Sequence, residues 1–492
     1  MTNVGESVVA VRGARIVGPG SEHLADGEPV DIHIIDGRIV DIAPVGALPV
    51  DGASIDAGGA PVVAGLWDNH VHVVQWALAS EREPLGDVAS AAEAAARMAS
   101  VAPLADGRRV GTGFRDALWD DAPSTEVLDA ATGETPTYLI NADVHSVWLN
   151  SAALRREGFS SPDGMLREED AFEISKRLNA VDPEHSDRAV MASGAAAAAR
   201  GVTGIVDFDM AWNAESWSRR TAGGFDSQRI EFAVYLSDLD RAIAEGLRTG
   251  EALPGSGGLV RMGPLKVITD GSLGTRTAAC SHPYPGDGTD FGVMNVSPDH
   301  LIELLTTAAG AGLGVAVHAI GDRAVSSALD AVTATGVSGT IEHAQLVRHA
   351  DIARIARLGL IASVQPQHAV DDRDLVDEYW GHQTALGYPM ASLLRAGVEL
   401  RLGSDAPVAA LDPWQAVSAA VHRTADDREP WHPEERLALA EALAASARSS
   451  VRPGQPADLV VCATDPRTAS AGTLRRMPVS ATVLAGRVTH LA

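Results

Sequence analysis

The chain has 492 residues, 46% of them hydrophobic and only 21% charged. That is a globular composition, with length for one large domain plus an accessory or for two to three domains. The 65 acidic side chains outnumber the 39 basic ones and give a net charge of −26, which disfavours nucleic acid and anionic membranes as partners. Two cysteines, Cys280 and Cys462, exclude a disulfide framework and a multi-thiolate metal site. The start lacks a basic region followed by a long apolar run. No 18-residue uncharged apolar stretch occurs either, so the expectation is a cytoplasmic protein without a membrane segment.

Residues 1–62 read as short strands. VVAVRGARIV, VDIHIIDGRIVDIAPVG and ASIDAGGAPVV are rich in Val and Ile and punctuated by Gly, Asp and Pro. Residues 453–492 read the same way, through ADLVVCAT and SATVLAGRVTHLA. The simplest assembly is a small composite β-sandwich made from 1–62 and 453–492, clasping a domain of residues 63–452. In that domain Ala-rich helical runs such as DVASAAEAAARMASV alternate with short apolar strands, the pattern of a parallel β/α architecture. The candidate strands are VVAGLWDNHVH, GVTGIVDFD, RIEFAVYLSD, GPLKVITD, GLGVAVHA, GTIEHA, LIASVQPQ and VELRLGSD, the number a (β/α)8 TIM barrel requires. Two further strand-like pieces, RRVGTGFRD and PTYLINADVHS, lie in a segment of about residues 80–185, read as an insertion forming a lid or pocket wall.

Chemistry-bearing side chains sit at the ends of these strands. The first ends in His70 and His72, which share a face because side chains at i and i+2 do. The fifth ends in His318, the sixth in His343 and the eighth in Asp405. Barrel catalysis is built at the C-terminal strand ends, and imidazole with carboxylate suits a divalent metal, zinc before iron, manganese, nickel or cobalt. Strand four carries Lys266. A buried lysine is costly unless its charge changes or is paired, and a neutral amine can take up carbon dioxide to become a bidentate carbamate. Pairing with Asp270 or with an anionic substrate stays open on spacing alone. Cys280 and His282 lack a full ligand set and read as structural.

AGLWDNHVH, DVHSVWLNSAAL, LKVITDGSLGTRTAA, VAVHAIGDRAV, IEHAQLV, RLGSDAPV and PGQPADLVV together resemble the amidohydrolase superfamily, in its YtcJ-like branch with the N-substituted formamide deformylases. The resemblance implies a distorted (β/α)8 metallohydrolase barrel with a composite β-sandwich. It implies one or two divalent ions, Zn2+ foremost, with His70 and His72 at the first metal, Lys266 as a carboxylated bridge and His318 and His343 at the second. Asp405 is implied as a metal-bound acid–base residue, and His145, in DVHS, as a catalytic position reaching in from the insertion. The usual Pro-Gly-Phe-Ile-Asp approach to His-x-His is Ala-Gly-Leu-Trp-Asp here, which brings Trp67 beside the site. Arg276 is a candidate clamp for an anionic substrate group or a supporting ion pair, and Gln365 and Gln367 on strand seven are candidate pocket residues.

The leading expectation is therefore a hydrolase of a non-peptide C–N bond, in an amide or an N-acyl or N-formyl amine, acting on a small molecule. Metal coordination would lower the pKa of the attacking water towards about 7, and Asp405 would act as base and then acid. The same site could instead act on a lactone, an ester or a cyclic amide, or deaminate a ring. The non-enzyme alternative is a metal-free homologue serving as a binding or assembly protein. Self-association into a homo-oligomer is left open.

Overall fold

The computed structural model describes residues 2–18, 27–286 and 288–492. Eight strands form its centre: β1 (Leu66–Val71), β2 (Val202–Asp207), β3 (Arg229–Val234), β4 (Val260–Ile268), β5 (Val315–Ala319), β6 (Gly339–His343), β7 (Ile361–Val364) and β8 (Glu399–Leu402). They pair in parallel in that order, and they are the eight runs expected from the sequence. Their near-continuous apolar character follows from covering on both faces, as in parallel sheets generally; β2 and β5 are buried along their whole length. Between β8 and β1 the ladder gives way to side-chain and loop bonds. Asn69 Nδ2 donates to the Leu402 carbonyl at 2.7 Å, and the Asp405 amide donates to the His70 carbonyl at 2.8 Å.

The termini build a mixed sheet. Its strands are Ala10–Ile16, Val30–Ile35, Arg38–Pro44, Ser54–Asp56 and Pro61–Ala64 from one end, and Leu459–Cys462, Val479–Leu484 and Arg487–Leu491 from the other. Val11, Ile32, Val62, Leu459 and Val483 from both ends meet in one apolar core. The chain passes from this sheet into β1 at Gly65, where a Cβ would stand 2.3 Å from Thr203 Oγ1, so only glycine fits. Arg229 of β3 clamps Asp458 with two bonds, at 2.8 and 3.0 Å, tying barrel to sheet. Between β1 and β2, residues 83–167 form a separate five-stranded sheet with helices on it. Trp148 is fully buried there and donates to the Ser124 carbonyl. Among the described residues no helix is long and apolar enough to cross a membrane.

Candidate metal centre and active site

The C-terminal strand ends converge on one buried cluster. His70 leads it: its Nδ1 donates to Glu342 Oε2 at 2.6 Å, which fixes the tautomer and turns Nε2 inward. That Nε2 lies 3.5 Å from Asp405 Oδ1 and 3.4 Å from Lys266 Nζ. His72 Nε2 stands 3.4 Å from the same Asp405 oxygen. His343 Nδ1 donates to Gln365 Oε1 at 2.8 Å, again freeing Nε2. His318 points its Nε2 at the Gly271 carbonyl, 3.3 Å away, which leaves Nδ1 for the site. Ring centroids of His343 lie 4.9 Å from His70 and 4.5 Å from His318.

This donor set fits a divalent cation. Donor atoms of His70, His343 and Asp405 lie within 4.8 Å of one another. Two buried polar atoms of the cluster, His72 Nδ1 and Asp405 Oδ1, have no hydrogen-bond partner. Every candidate ligand is nitrogen or oxygen, as zinc and its neighbours accept. Burial, reinforced by the positive charge of Lys266, holds His70 and His318 well below the ordinary imidazole pKa; burial, His318 and Lys266 do the same to His343. All three are thus neutral, the form that binds metal. Burial pulls Lys266 down to about 8, partly offset by Glu342 and Asp405. Its Nζ makes no ion pair among the described residues and sits 4.5 Å from the Phe208 ring centroid.

Backbone conformation aims the side chains. His343 closes β6 with φ of 73° and Asp405 follows β8 with φ of 60°, both in the left-handed region that non-glycine residues seldom occupy. Such strain persists only where surroundings enforce it, and it concentrates at functional sites. Asp405 is enforced by the amide bond to His70 described above. Asp270, beyond β4, accepts from the Ala279, Ile320 and Gly321 amides at 2.8–3.0 Å and so knits the loops after β4 and β5. It is occupied by those amides rather than by Lys266, which removes the Lys266–Asp270 pairing as a way to settle the lysine.

The insertion supplies the remaining wall. His145 Nδ1 donates to Glu168 Oε2 at 3.0 Å, and Glu168 accepts from Thr277 of the loop after β4. Burial works against a charge on His145, but Glu168, with Asp143 and Asp405, outweighs it and holds its pKa up at about 9. A cavity of about 30 Å³ lies among His70, His72, His145, Lys266, His318 and His343. Sharing His145, His318, His343 and Asp405 with it, an outer cavity of about 130 Å³ extends between the insertion and the loops after β7.

Of the residues singled out from the sequence, His70, His72, Lys266, His318, His343, Asp405 and His145 are brought together. The others are not. Trp67 lies below the histidines in a barrel layer with Val206 and Phe208, its ring 4.1 Å from the Arg448 guanidinium carbon. Arg276, expected as a clamp or a supporting ion pair, has φ of 57° on an exposed turn and faces the Tyr379 ring at 6.0 Å, outside both cavities. Gln365 orients His343 instead of facing the outer cavity, and Gln367 stands behind Asp371, donating to it at 2.6 Å. Cys280 is buried, and burial pushes its thiol up to about 12, consistent with a structural role. Sequence reasoning missed Glu342 and Glu168, which hold the histidines, and Arg115, Asp371, Asp372 and His368, which wall the outer cavity.

The sequence model of the amidohydrolase family matches residues 53–490. YtcJ of Bacillus subtilis is 26% identical over 484 residues, covering 89% of this chain and 90% of its own length. N-substituted formamide deformylase of Arthrobacter pascens is 26% identical over 497 residues, 90% of each. An uncharacterised metal-dependent hydrolase from Pyrococcus horikoshii shares the fold, with a TM-score of 0.77 at 24% identity over 94% of this chain and 99% of its own. With a match that runs from the terminal sheet through all eight barrel strands and back, the chain belongs to the amidohydrolase family.

Proposed function

We propose that the protein is a metal-dependent hydrolase of a C–N bond, that of an amide or an N-acyl or N-formyl amine. One observation carries this reading: neutral histidines from three strand ends and a carboxylate with an orphaned oxygen surround one small cavity at the barrel mouth. His70, His72, His318, His343 and Asp405 would hold the ion, zinc being the best match to the donor set. Lys266 joins them as a carbamate, because an amine with its pKa at about 8 has roughly a tenth of its population neutral at pH 7 and half at pH 8, enough to take up carbon dioxide. When bound, the metal polarises a carbonyl and lowers the pKa of a water. Asp405 would accept a proton from the attacking water and return it to the leaving nitrogen. His145, kept protonated by Glu168, donates to the substrate carbonyl oxygen. The related deformylase of Arthrobacter pascens agrees in bond type.

The test is hydrolysis of N-formyl and N-acetyl amines by chelator-stripped protein reloaded with zinc, followed as release of the free amine. Activity restored by the metal and reduced about 100-fold or more in Asp405→Asn is expected. Native mass spectrometry should show one carbon dioxide on the wild type and none on Lys266→Ala. A protein that binds no divalent ion, with thermal stability indifferent to chelator, would refute the reading.

A further inference from the structure

The outer cavity has its own chemistry. Four carboxylates wall it in addition to Asp405: Asp116 and Asp143 from the insertion, Asp371 and Asp372 after β7. Asp116 accepts from Asn141 at 2.8 Å and Asp143 from Ser272 at 2.6 Å. Against these stands Arg115, which reaches Asp371 at 3.2 Å and Asp372 at 3.4 Å. One guanidinium cannot neutralise four carboxylates, and the charge on His145 is already matched by Glu168. Burial, with a smaller push from the neighbouring Asp143, raises the pKa of Asp116.

A second observation points to a ligand. Gln345 and His368 line the same cavity, are 4% and 5% exposed, and each carries a buried polar atom without a partner, Gln345 Oε1 and His368 Nε2. The Gln345 amide oxygen is an acceptor only, and it accepts from nothing among the described residues. An unsatisfied buried acceptor in an acidic chamber is matched by a positively charged N–H donor. Ile320, Leu375 and Val408 provide apolar wall for a short methylene chain.

We propose that the outer cavity selects substrates bearing an ammonium group a few carbons from the scissile bond, so that the enzyme acts on mono-acylated diamines or similar cationic amides. This rests on the hydrolase reading for the chemistry, but the cation preference is a binding property in its own right. The test compares N-acetylputrescine, its neutral isostere N-pentylacetamide and the anionic N-acetyl-γ-aminobutyrate, with the N-formyl analogues alongside. Two readouts are taken on the full chain: kcat/KM with zinc loaded, and calorimetric affinity on metal-free protein, where nothing turns over.

The expected result is a tenfold or greater preference for the cation over the isostere in both, weakened by added salt. Asp371→Asn should cut that ratio at least threefold, as should Gln345→Leu; a general folding defect would lower both substrates together and leave the ratio unchanged. Equal or better handling of the neutral isostere in both readouts overturns the proposal while leaving the hydrolase reading intact. Cation-selective binding without hydrolysis of any amide supports the chamber and refutes the hydrolase reading.

Discussion

The bond from His70 to Glu342 makes a prediction that separates a positioning carboxylate from a merely buried one. Both side chains are 1% exposed, and the 2.6 Å contact is charge-assisted. Glu342→Gln preserves volume and one acceptor but removes the charge. A hydrogen bond to a charged partner is worth about 1.5–3 kcal/mol and a neutral one about 0.5–1.5 kcal/mol, so the substitution costs about 1–2 kcal/mol of the force holding Nδ1–H towards residue 342. If that force sets the ligand tautomer, zinc affinity falls roughly 5- to 30-fold, in line with the 10- to 100-fold typical of lost outer partners of metal-bound histidines. The assay is competition for zinc against a chelating dye, with circular dichroism confirming the fold. Zinc affinity unchanged in a folded Glu342→Gln protein would refute the argument, because it would show that the barrel packing alone orients His70.

Other predictions follow from features already described. In metal-free protein the His145–Glu168 pair should stabilise most between about pH 5 and 6.5: the raised His145 value makes its contribution complete below the free imidazole pKa and lost as pH rises through about 9, whereas the lowered Glu168 value makes its share disappear in acid. The gap in melting temperature between wild type and Glu168→Gln should narrow accordingly towards pH 9; a gap independent of pH would contradict the pairing. Gly204→Ala would put a Cβ 2.1 Å from Trp67 Cε2 and should lower stability by about 1–3 kcal/mol in denaturant titration, with zinc still bound. Arg229→Met strands the buried carboxylate of Asp458 and should cost up to about 3–5 kcal/mol, seen as earlier proteolysis of the terminal sheet; resistance equal to wild type would show that the Ala485 amide suffices for Asp458.

What the sequence revealed and what it hid have physical reasons. The barrel strands were legible because strands buried on both faces are short apolar runs, and their ends because a histidine or aspartate interrupts such a run abruptly, as in VAVHA and RLGSD. Glu342 was hidden by strand periodicity. Neighbours in a strand face opposite ways, so Glu342 and His343 should not share a site; the left-handed turn of His343 brings both to it. The carboxylate inside the apolar run GTIEH was the available signal. The sequence context of Arg276 says nothing about its positive φ on an exposed turn outside both cavities. Arg115, Asp371 and Asp372 could not be read at all, since they meet only when the insertion closes over the loops after β7, about 256 residues further along the chain.

The barrel seam leads to one more consequence. Here β8 meets β1 through the Asp405 amide and the His70 carbonyl, together with Asn69 and Leu402. Two residues of the candidate metal site are also the clasp of the cylinder. Any parting of the two edges pulls the acid away from its histidine before it wets the apolar interior. The molecule should then lose turnover at lower denaturant than it loses ellipticity, and a bound metal, by bridging the clasp, should raise the first threshold more than the second.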